Sequence, residues 1–524
     1  MVLFYVMHPL DDPLDERLWG PRARLGWLLG AAVALLLVML AGRELWTLEA
    51  RWADICWRMI YSGDYVHPNL GGLPYYDKPL LSYWLMILIA RLSGGLSVWA
   101  LRLPSVLAGL LALWCTFDVG RQLIDRRSAF LAGWMLATTH FFIFWSRTAS
   151  ADMLNLGGIM AAVAWYVRRR DTPGFTTAAI FFLILAVTSL FKGLVGAVVP
   201  VLVIAPHLCA ARRWRRYRLP SVLLAAVPAV VVYLAPFWAS TYFGSGAATD
   251  ATAAAGLYQV YRENILRYFA PFDHRDPVYT YLLYGPIYML PWTVFVVPTL
   301  WTLPRRWSDL PAGVRWMAWS TLLIFVFFTL SGSRRSYYIL PLVPFATLVT
   351  AEWVSAALGR NPGWSRRLGV AVALAYAALF LFANVLVALY YSGGGSPAFG
   401  RELRAQATAV HPWEAWKIVS LDARDKLVLY VEPARPIEMI AAPPRGDAGG
   451  DAERSCTADE LLTAWPLLRE RRPDTILITR AAYLDKLAAH LVGYRLVRTP
   501  PSWGVRLLKG TTADDAVALI PESP

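Results

Sequence analysis

The sequence predicts an all-α polytopic membrane protein with a small C-terminal α/β domain. Of its 524 residues, 57% are hydrophobic and 16% are charged, and the mean hydropathy is +0.44. This composition is more apolar than that of ordinary soluble domains. Apolar runs long enough to cross a bilayer core of about 30 Å recur as far as residue 391. The hydropathy then falls, and short strand-like and helix-like segments follow.

The membrane region is predicted to hold about 11 to 13 transmembrane helices. The clearest spans lie near residues 25–42, 101–120, 128–146, 152–167, 175–191, 194–211, 219–239, 279–301, 314–331, 338–358 and 368–391. The charged segment before the first span lacks a small-residue cleavage pattern, so we expect the first helix to be retained.

Arginine-rich connections set the expected orientation. "RQLIDRRSA", "RRRDTPG", "ARRWRRYR", "PRRW" and "GRNPGWSRR" fall on every second loop, on the same side as the Arg-bearing N-terminus. Basic loops mark the cytoplasmic side of a membrane protein. The formal charge of +14 therefore indicates topology, and we expect no nucleic-acid partner. The outer side then receives residues 43–100, residues 240–277 and the C-terminal tail.

The chain is predicted to divide into a membrane domain, residues 1–392, and an extracytoplasmic α/β domain, residues 393–524. In the second domain "KLVLYVE", "DTILITR" and "YRLVRT" suggest strands, and "ADELLTAWPLLRER" and "AAYLDKLAAHL" suggest amphipathic helices. The first outer loop, residues 43–100, is expected to carry interfacial helices. Its apolar run from Pro79 to Gly94 is too short for a span, and a true span there would reverse the sidedness of the later basic loops.

Lys78 is the first candidate for a functional cation. It follows Asp77 and precedes Pro79, which biases it towards an extended conformation at the mouth of the next helix. A lysine beside a helix N-terminus suits a phosphate group. The alternative is a lysine that merely extends to the lipid headgroups.

Further ionisable residues fall on the same outer side, where charge near a membrane is costly unless it faces a cavity or a substrate. They are Glu49, Arg51 and Asp54 after the first span, Asp152 in "SADM", Lys192 in "FKG", Arg267 and His274 in the loop after residue 240, and Arg334 and Arg335 in "SGSRRSYY". Each has a structural alternative: a solvated charge, a helix cap at Asp152, or an ordinary loop residue. Together, many cations and a few carboxylates predict a lipid-phosphate substrate and acid–base or metal chemistry.

The order of several motifs resembles one enzyme family. "LEARWADICWRM", "SGDYVHPNLGGLPYYDKPLLSYWL", "RLPSVLAGLLA", "SADM", "FKGLVG", "ENILRY", "HRDPVYTYL", "LPW" and "SRRSYYILPLVP" occur in family order. Over roughly residues 25–360 the chain resembles the polyprenyl-phosphate-sugar-dependent glycosyltransferases of the GT-C fold, among them the bacterial lipid A aminoarabinose transferases and the protein mannosyltransferases.

The resemblance implies roles for individual residues. Glu49 matches the early acidic motif and would be catalytic, with Asp152 as the second candidate base. Lys78 and Arg267 would bind the donor phosphate, and Arg334 and Arg335 match the late basic motif before Tyr338. The residues expected to line the cavity are Arg51, Asp54, Asp77, Lys192 and Tyr338. His274 matches a histidine position linked to metal or substrate in some relatives, and His274 and Asp77 are the candidate ligands for a divalent metal, zinc or magnesium.

The sequence departs from the family pattern at the early acidic motif. Relatives often carry an Asp followed by a Glu in the first loop, whereas Leu48 precedes Glu49 here. The base is therefore Glu49, Asp54 or another acid.

The expected activity is the inverting transfer of a glycosyl group from an undecaprenyl-phosphate-linked sugar to an extracytoplasmic acceptor. Lipid A or another cell-envelope glycan is favoured over a protein. The expected setting is a monomer in the bacterial inner membrane, with the N-terminus cytoplasmic and the active site periplasmic. The alternative is a transporter or flippase for an anionic lipid or solute; such proteins often place charges near the midplane between repeated halves, whereas here the charges lie at one face and no halves repeat.

Overall fold

The structure is a computed structural model that describes residues 21–172, 174–211, 220–243, 256–272, 274–360, 363–421, 423, 427–440, 472–508 and 515–522. The basic loop "RRWRRYR" and the predicted helix "ADELLTAWPLLRER" lie outside these residues. The chain divides into two compact units. The first holds Met1–Leu40, Tyr76–Ile89 and Arg102–Ala383, and the second holds Ala41–Tyr75, Ala90–Leu101 and Asn384–Pro524.

Helices dominate the described residues. In chain order they are α1 Pro21–Leu37, α2 Thr47–Ser62, α3 Leu81–Leu92, α4 Val98–Leu123, α5 Arg126–Ala137, α6 His140–Ser146, α7 Ala151–Arg169, α8 Phe175–Lys192, α9 Val195–Ala210, α10 Pro220–Leu224, α11 Val227–Tyr242, α12 Leu257–Tyr261, α13 Arg267–Phe269, α14 Thr280–Tyr288, α15 Thr293–Thr302, α16 Ala312–Leu330, α17 Val343–Arg360, α18 Gly363–Leu381, α19 Val387–Tyr390, α20 Gly395–Thr408, α21 Leu427–Val431, α22 Leu484–Leu487 and α23 Trp503–Leu507. Two π-helical turns, Arg262–Leu266 and Phe382–Leu386, and 3₁₀ turns such as Ser336–Leu342 join some of them.

Six helical runs of the described chain are long and apolar enough to cross a membrane, or seven if the bent pair α5 and α6 forms one span. Four shorter apolar helices accompany them. The protein is therefore a multi-pass membrane protein, and the predicted count of about 11 to 13 spans stays a prediction. Two predicted spans differ from the observed helices. Residues 128–146 bend by 65° between α5 and α6, and residues 279–301 form two helices, α14 and α15. The 12-residue α3 occupies the short apolar run of the first outer loop.

Close packing in the first unit depends on small residues and capping side chains. A Cβ at Gly158 in α7 would lie 2.2 Å from the Thr188 hydroxyl of α8, so only glycine allows these helices to approach so closely. At the end of α1, the Arg147 guanidinium donates to the carbonyls of Leu35 at 2.7 Å and Met39 at 3.0 Å. Arg147 thereby satisfies carbonyls that a helix end leaves without partners.

The second unit contains a hairpin and a five-stranded sheet. The strands are β1 Asn69–Leu70, β2 Leu73–Pro74, β3 Lys417–Leu421, β4 Glu438–Ile440, β5 Thr475–Arg480, β6 Tyr494–Arg498 and β7 Ala516–Pro521. The sheet order is β4-β3-β5-β7-β6, with β3 parallel to both β4 and β5 and with β7 antiparallel to its neighbours.

Alternate residues of the sheet pack on opposite faces. Ile418 and Ile476 face a core built with α20 and α21, whereas Val419 and Leu477 face a core closed by Leu487. This period of two is the geometry of a strand buried on both sides. The predicted small α/β domain is therefore confirmed as a fold.

The detailed assignment of this domain was partly wrong. "DTILITR" and "YRLVRT" contain strands β5 and β6, as predicted. "KLVLYVE", predicted as a strand, holds the helix α21 instead, and the sequence missed strands β3, β4 and β7. Leu427, Val428 and Val431 of α21 are buried, which is the spacing of one helical face.

Candidate functional site

Lys78 lies in the turn before α3. Its ammonium group donates a 3.2 Å hydrogen bond to the backbone carbonyl of Asp77, and it forms no ion pair with a carboxylate of the described residues. Burial lowers the pKa of Lys78, and the positive charge of Arg267 lowers it further. The carboxylates of Asp77 and Glu263 act in the opposite direction. A desolvated lysine among other cations favours an anionic ligand.

Arg267 belongs to a turn that concentrates arginines around one acid. Glu263 forms ion pairs with Arg262, at 3.0 Å, and with Arg267. Both guanidinium groups lie over the ring of Phe272, at 4.5 and 5.2 Å from its centroid. Burial raises the pKa of Glu263, an effect that the Arg267 charge partly offsets. Glu263 has no role predicted from the sequence; it neutralises one of the two arginines and leaves a net positive charge.

Asp152 and Lys192 meet at the ends of neighbouring helices. Asp152 lies in the first turn of α7, where the Ser150 hydroxyl caps the helix by accepting from the Asp152 backbone N–H at 3.2 Å. Lys192 is the last residue of α8. Its Nζ lies 2.5 Å from Asp152 Oδ1 and 4.7 Å from the ring centroid of Tyr338. An acid at a helix N-terminus and a base at a C-terminus are each favoured by the helix dipoles.

Two polar side chains that sequence reasoning missed hold these elements together. Asn264 Oδ1 accepts from the backbone N–H of Leu194 at 2.6 Å, directly after Gly193, whose φ is +119°. Ser82 of α3 donates to the Phe191 carbonyl at 3.0 Å. The end of α8 is thereby bonded both to the π-helical turn and to α3. The glycine in "FKG" and the asparagine in "ENILRY" were the available signals.

We call these side chains the mixed-charge cluster: Lys78, Lys192, Arg262 and Arg267, with Asp77, Asp152 and Glu263. All belong to the first unit. The cluster has four positive and three negative side chains, a surplus of one positive charge. Lys78 has no carboxylate partner among the described residues, whereas both Asp152 and Glu263 are engaged.

The two arginines of the late basic motif, Arg334 and Arg335, differ in their surroundings. The Arg334 guanidinium donates to the backbone carbonyls of Asp276 at 2.8 Å, Thr329 at 3.3 Å and Ser331. Arg334 therefore ties its own loop to the loop that precedes α14, whereas Arg335 is exposed. A phosphate-binding role for either arginine stays a prediction.

The acids of α2 are held by structural contacts. The fully buried Glu49 accepts from the Trp46 backbone N–H and pairs with Arg43, both at 2.9 Å. Asp54 accepts from Arg58 at 3.0 Å and from the Gly71 backbone N–H at 2.8 Å. Burial raises the pKa of Asp54, although the Arg58 charge and the Gly71 hydrogen bond oppose the shift.

Glu49 and Asp54 belong to the second unit, and Arg51 is exposed there. The catalytic role predicted for Glu49 and the cavity roles predicted for Arg51 and Asp54 stay predictions.

The predicted metal ligands are His274 and Asp77. In the described part of the chain, His, Cys, Asp and Glu side chains do not form any group of three or more that could hold a metal. His274 has a positive φ of 55°, and its carbonyl accepts from the Arg334 backbone N–H at 2.6 Å. A zinc or magnesium site stays a prediction.

An apolar cavity of about 500 Å³ lies among α3, α4, α7 and α8. Its wall includes Leu85, Leu154, Gly158 and Phe191. Leu154 and Phe191 are close in sequence to the cluster residues Asp152 and Lys192, so helices that carry the cluster also line the cavity. Charge and apolar space on the same helices suit an amphipathic, anionic ligand.

The fold and these features define a class: a multi-pass membrane protein with a buried site of mixed charge and a surplus of positive charge. The family described as dolichyl-phosphate-mannose-protein mannosyltransferase matches residues 77–239. This segment contains Lys78, Asp152 and Lys192.

Named relatives agree with this class. The chain is 30% identical over 342 residues to an undecaprenyl phosphate-alpha-4-amino-4-deoxy-L-arabinose arabinosyl transferase of Aeromonas salmonicida, covering 61% of this chain and 58% of that protein. A protein of the same name from Pseudomonas aeruginosa is 30% identical, with 60% and 56% covered. The matches thus span less than two thirds of these relatives' lengths.

The fold is also found among solved structures. The crystal structure of ArnT from Cupriavidus metallidurans bound to undecaprenyl phosphate matches with a TM-score of 0.66 and 19% identity, over 94% of this chain and 98% of that one. The apo form of the same protein matches with a TM-score of 0.65 and 20% identity, over 94% and 97%. The resemblance predicted from the motifs is therefore confirmed.

Proposed function

We propose that this protein is a membrane glycosyltransferase that transfers a sugar, with inversion, from a polyprenyl-phosphate donor to an extracytoplasmic acceptor. The observation that carries this proposal is the mixed-charge cluster, which has a surplus positive charge and two of whose members, Asp152 and Lys192, lie on helices that also line an apolar cavity. The names of the relatives, undecaprenyl phosphate aminoarabinosyl transferases, support a donor of this class.

The cluster suits the leaving group. As the bond between the anomeric carbon and the phosphate oxygen breaks, negative charge builds on the phosphate. Lys78 and Arg267 are fixed cations in a partly buried site, where they stabilise such charge more than water does. Arg267 adds a planar guanidinium, which can donate to two phosphate oxygens. The lipid chain would occupy the apolar cavity.

Asp152 is the proposed general base. The acceptor hydroxyl oxygen attacks the anomeric carbon, its proton passes to the Asp152 carboxylate, and polyprenyl phosphate leaves. Lys192 holds the Asp152 carboxylate in one position, and Tyr338 faces Lys192. Glu49 is the less favoured base because it is fully buried and paired with Arg43.

The proposed acceptor is lipid A or another cell-envelope glycan. We place the protein in a bacterial inner membrane as a monomer, with its N-terminus cytoplasmic and the cluster and C-terminal domain periplasmic. The alternation of arginine-rich loops supports this topology. Lys417→Cys and Arg305→Cys test this topology, each in a background without reactive native cysteines. In intact spheroplasts, an impermeant reagent should label the cysteine at 417 and leave the cysteine at 305 unlabelled.

The proposal is tested by mass spectrometry of lipid A and other envelope glycans from cells that lack the gene and carry wild type or Lys78→Ala. We expect a sugar mass that appears with wild type and disappears with the variant. Lys417→Ala removes an exposed lysine of β3 and should behave as wild type.

A wild-type glycan profile for Lys78→Ala, at equal protein level, would refute the phosphate site. An unchanged profile in all strains, together with a lipid that accumulates on one side of the membrane, would favour transport instead.

A further inference from the structure

The short helix α23, in the second unit, presents large apolar side chains to its surroundings. Trp503 is 49% exposed, Leu507 62% and the following Leu508 69%. Three large apolar side chains so close together on one element are uncommon on a surface that faces water. Gly504, between these residues, is buried and packs against the Tyr390 ring.

α23 is bonded to the chain that directly follows α19. The Trp503 backbone N–H donates to the Ser392 carbonyl at 2.8 Å, and the Arg506 guanidinium donates to the Gly393 carbonyl at 3.2 Å. A Cβ at Gly504 would lie 2.0 Å from a carbon of the Tyr390 ring, so only glycine permits this packing. These contacts fix α23 beside the end of α19.

α19 lies within a helical run, Arg366–Thr408, that is apolar enough to cross a membrane. On this run Val385 is 39% exposed, Leu386 50% and Leu389 48%. A spanning helix exposes such residues to lipid. The exposed apolar side chains of α23 are therefore held next to a helical run that is suited to lipid.

We propose that α23 and Leu508 form a lipid-embedded foot of the C-terminal domain, with Trp503, Leu507 and Leu508 inserted at the bilayer surface. The residue types fit this depth. Tryptophan is enriched at the membrane interface, leucines supply apolar area, and an exposed arginine such as Arg506 can extend its charge to the headgroups. The foot would hold the sheet domain at the membrane independently of any sugar transfer.

The test uses single cysteines labelled with the environment-sensitive dye NBD, in a background where Cys209 and Cys456 are replaced by serine. The test variants are Trp503→Cys and Leu507→Cys. The control is Val492→Cys, whose side chain is 68% exposed, in the turn before β6. Each protein is reconstituted in phosphatidylethanolamine and phosphatidylglycerol nanodiscs. Quenching is measured with nitroxide-bearing lipids and with aqueous iodide.

We expect nitroxide lipids to quench the labels at 503 and 507, with blue-shifted emission, and iodide to quench only the label at 492. Iodide quenching at 507 equal to that at 492 would overturn the proposal, because the foot would then be in water. A label at 507 that neither reagent quenches would overturn it as well, since a protein would then cover this surface. All three substitutions replace exposed side chains, so the fold is expected to be retained.

Discussion

Helix α2 and the mixed-charge cluster both contain buried acids next to arginines or lysines, and they differ in charge balance. In α2 each buried acid has its own arginine and a backbone N–H donor, as in Asp54 with Arg58 and Gly71. In the cluster, cations outnumber acids, and Lys78 has no carboxylate partner among the described residues. Balanced pairs stabilise a fold, whereas a surplus of desolvated charge is costly unless a ligand balances it.

The largest expected effect is the loss of kcat when the proposed base, Asp152, is replaced. Asp152→Asn keeps the shape of the side chain but removes its capacity to accept a proton, so kcat should fall about 10²- to 10⁴-fold. Donor binding should change little. The measurement is transfer in proteoliposomes, alongside binding of undecaprenyl phosphate to the same preparation.

Glu49→Gln is the matched variant from α2. It should lower the thermal unfolding temperature, because Arg43 loses its partner carboxylate, and leave kcat within about threefold of wild type. A collapse of kcat in Glu49→Gln with normal transfer in Asp152→Asn would reverse the assignment of the base.

Arg267→Ala should weaken donor binding by about 10- to 100-fold, since it removes a charge-assisted, bidentate contact to the phosphate. Titration of the purified protein with undecaprenyl phosphate measures this loss. Arg58→Ala, on α2, removes an equally buried arginine and serves as the control. Equal affinities for Arg267→Ala and wild type would exclude Arg267 from the phosphate site.

The pH dependence of donor binding should follow the protonation state of the Lys78 side chain. Burial holds the pKa of Lys78 below its usual value in the free protein, and a bound phosphate raises it again. Affinity is therefore full below the free-protein pKa and falls as pH rises through it. Lys78→Arg keeps its charge and should bind with a flatter profile. Parallel profiles for the two proteins would show that another group titrates.

The smallest effect on activity is expected at Asp54. Asp54→Asn weakens the contact with Arg58, and it should lower the free energy of unfolding by about 1–3 kcal/mol. The sugar-transfer rate should stay unchanged because the pair acts on the fold. Thermal unfolding in detergent, followed by a transfer assay at a temperature where both proteins are folded, separates the two effects. A loss of transfer without a loss of stability would place Asp54 in the cavity after all.

Sequence patterns predicted what depends on neighbours along the chain. "DTILITR" has the composition of a buried strand and forms β5. "KLVLYVE" has a similar composition, yet it forms the helix α21, because its buried side chains pack on the sheet with the spacing of a helical face. Tertiary packing decides between helix and strand in runs this short.

Local sequence was also insufficient to predict the whole candidate site. Lys78, Asp152, Lys192 and Arg267 could be singled out because each is a charge at the edge of an apolar run. The roles of Glu263, Asn264 and Ser82 could not, because their partners are distant in sequence or belong to turns whose geometry no motif records.

The sequence by itself determined the membrane character, the short α3 and the presence of an α/β domain, because hydropathy and periodicity are local quantities. Only the tertiary structure decided which charges are neutralised. Glu49 and Asp152 look equivalent along the chain, as acids just beyond apolar spans. In the folded protein Glu49 pairs with Arg43 and accepts a hydrogen bond at the start of α2, whereas Asp152 pairs with Lys192 within the mixed-charge cluster. Ion pairing depends on distances across the fold, which no stretch of sequence contains.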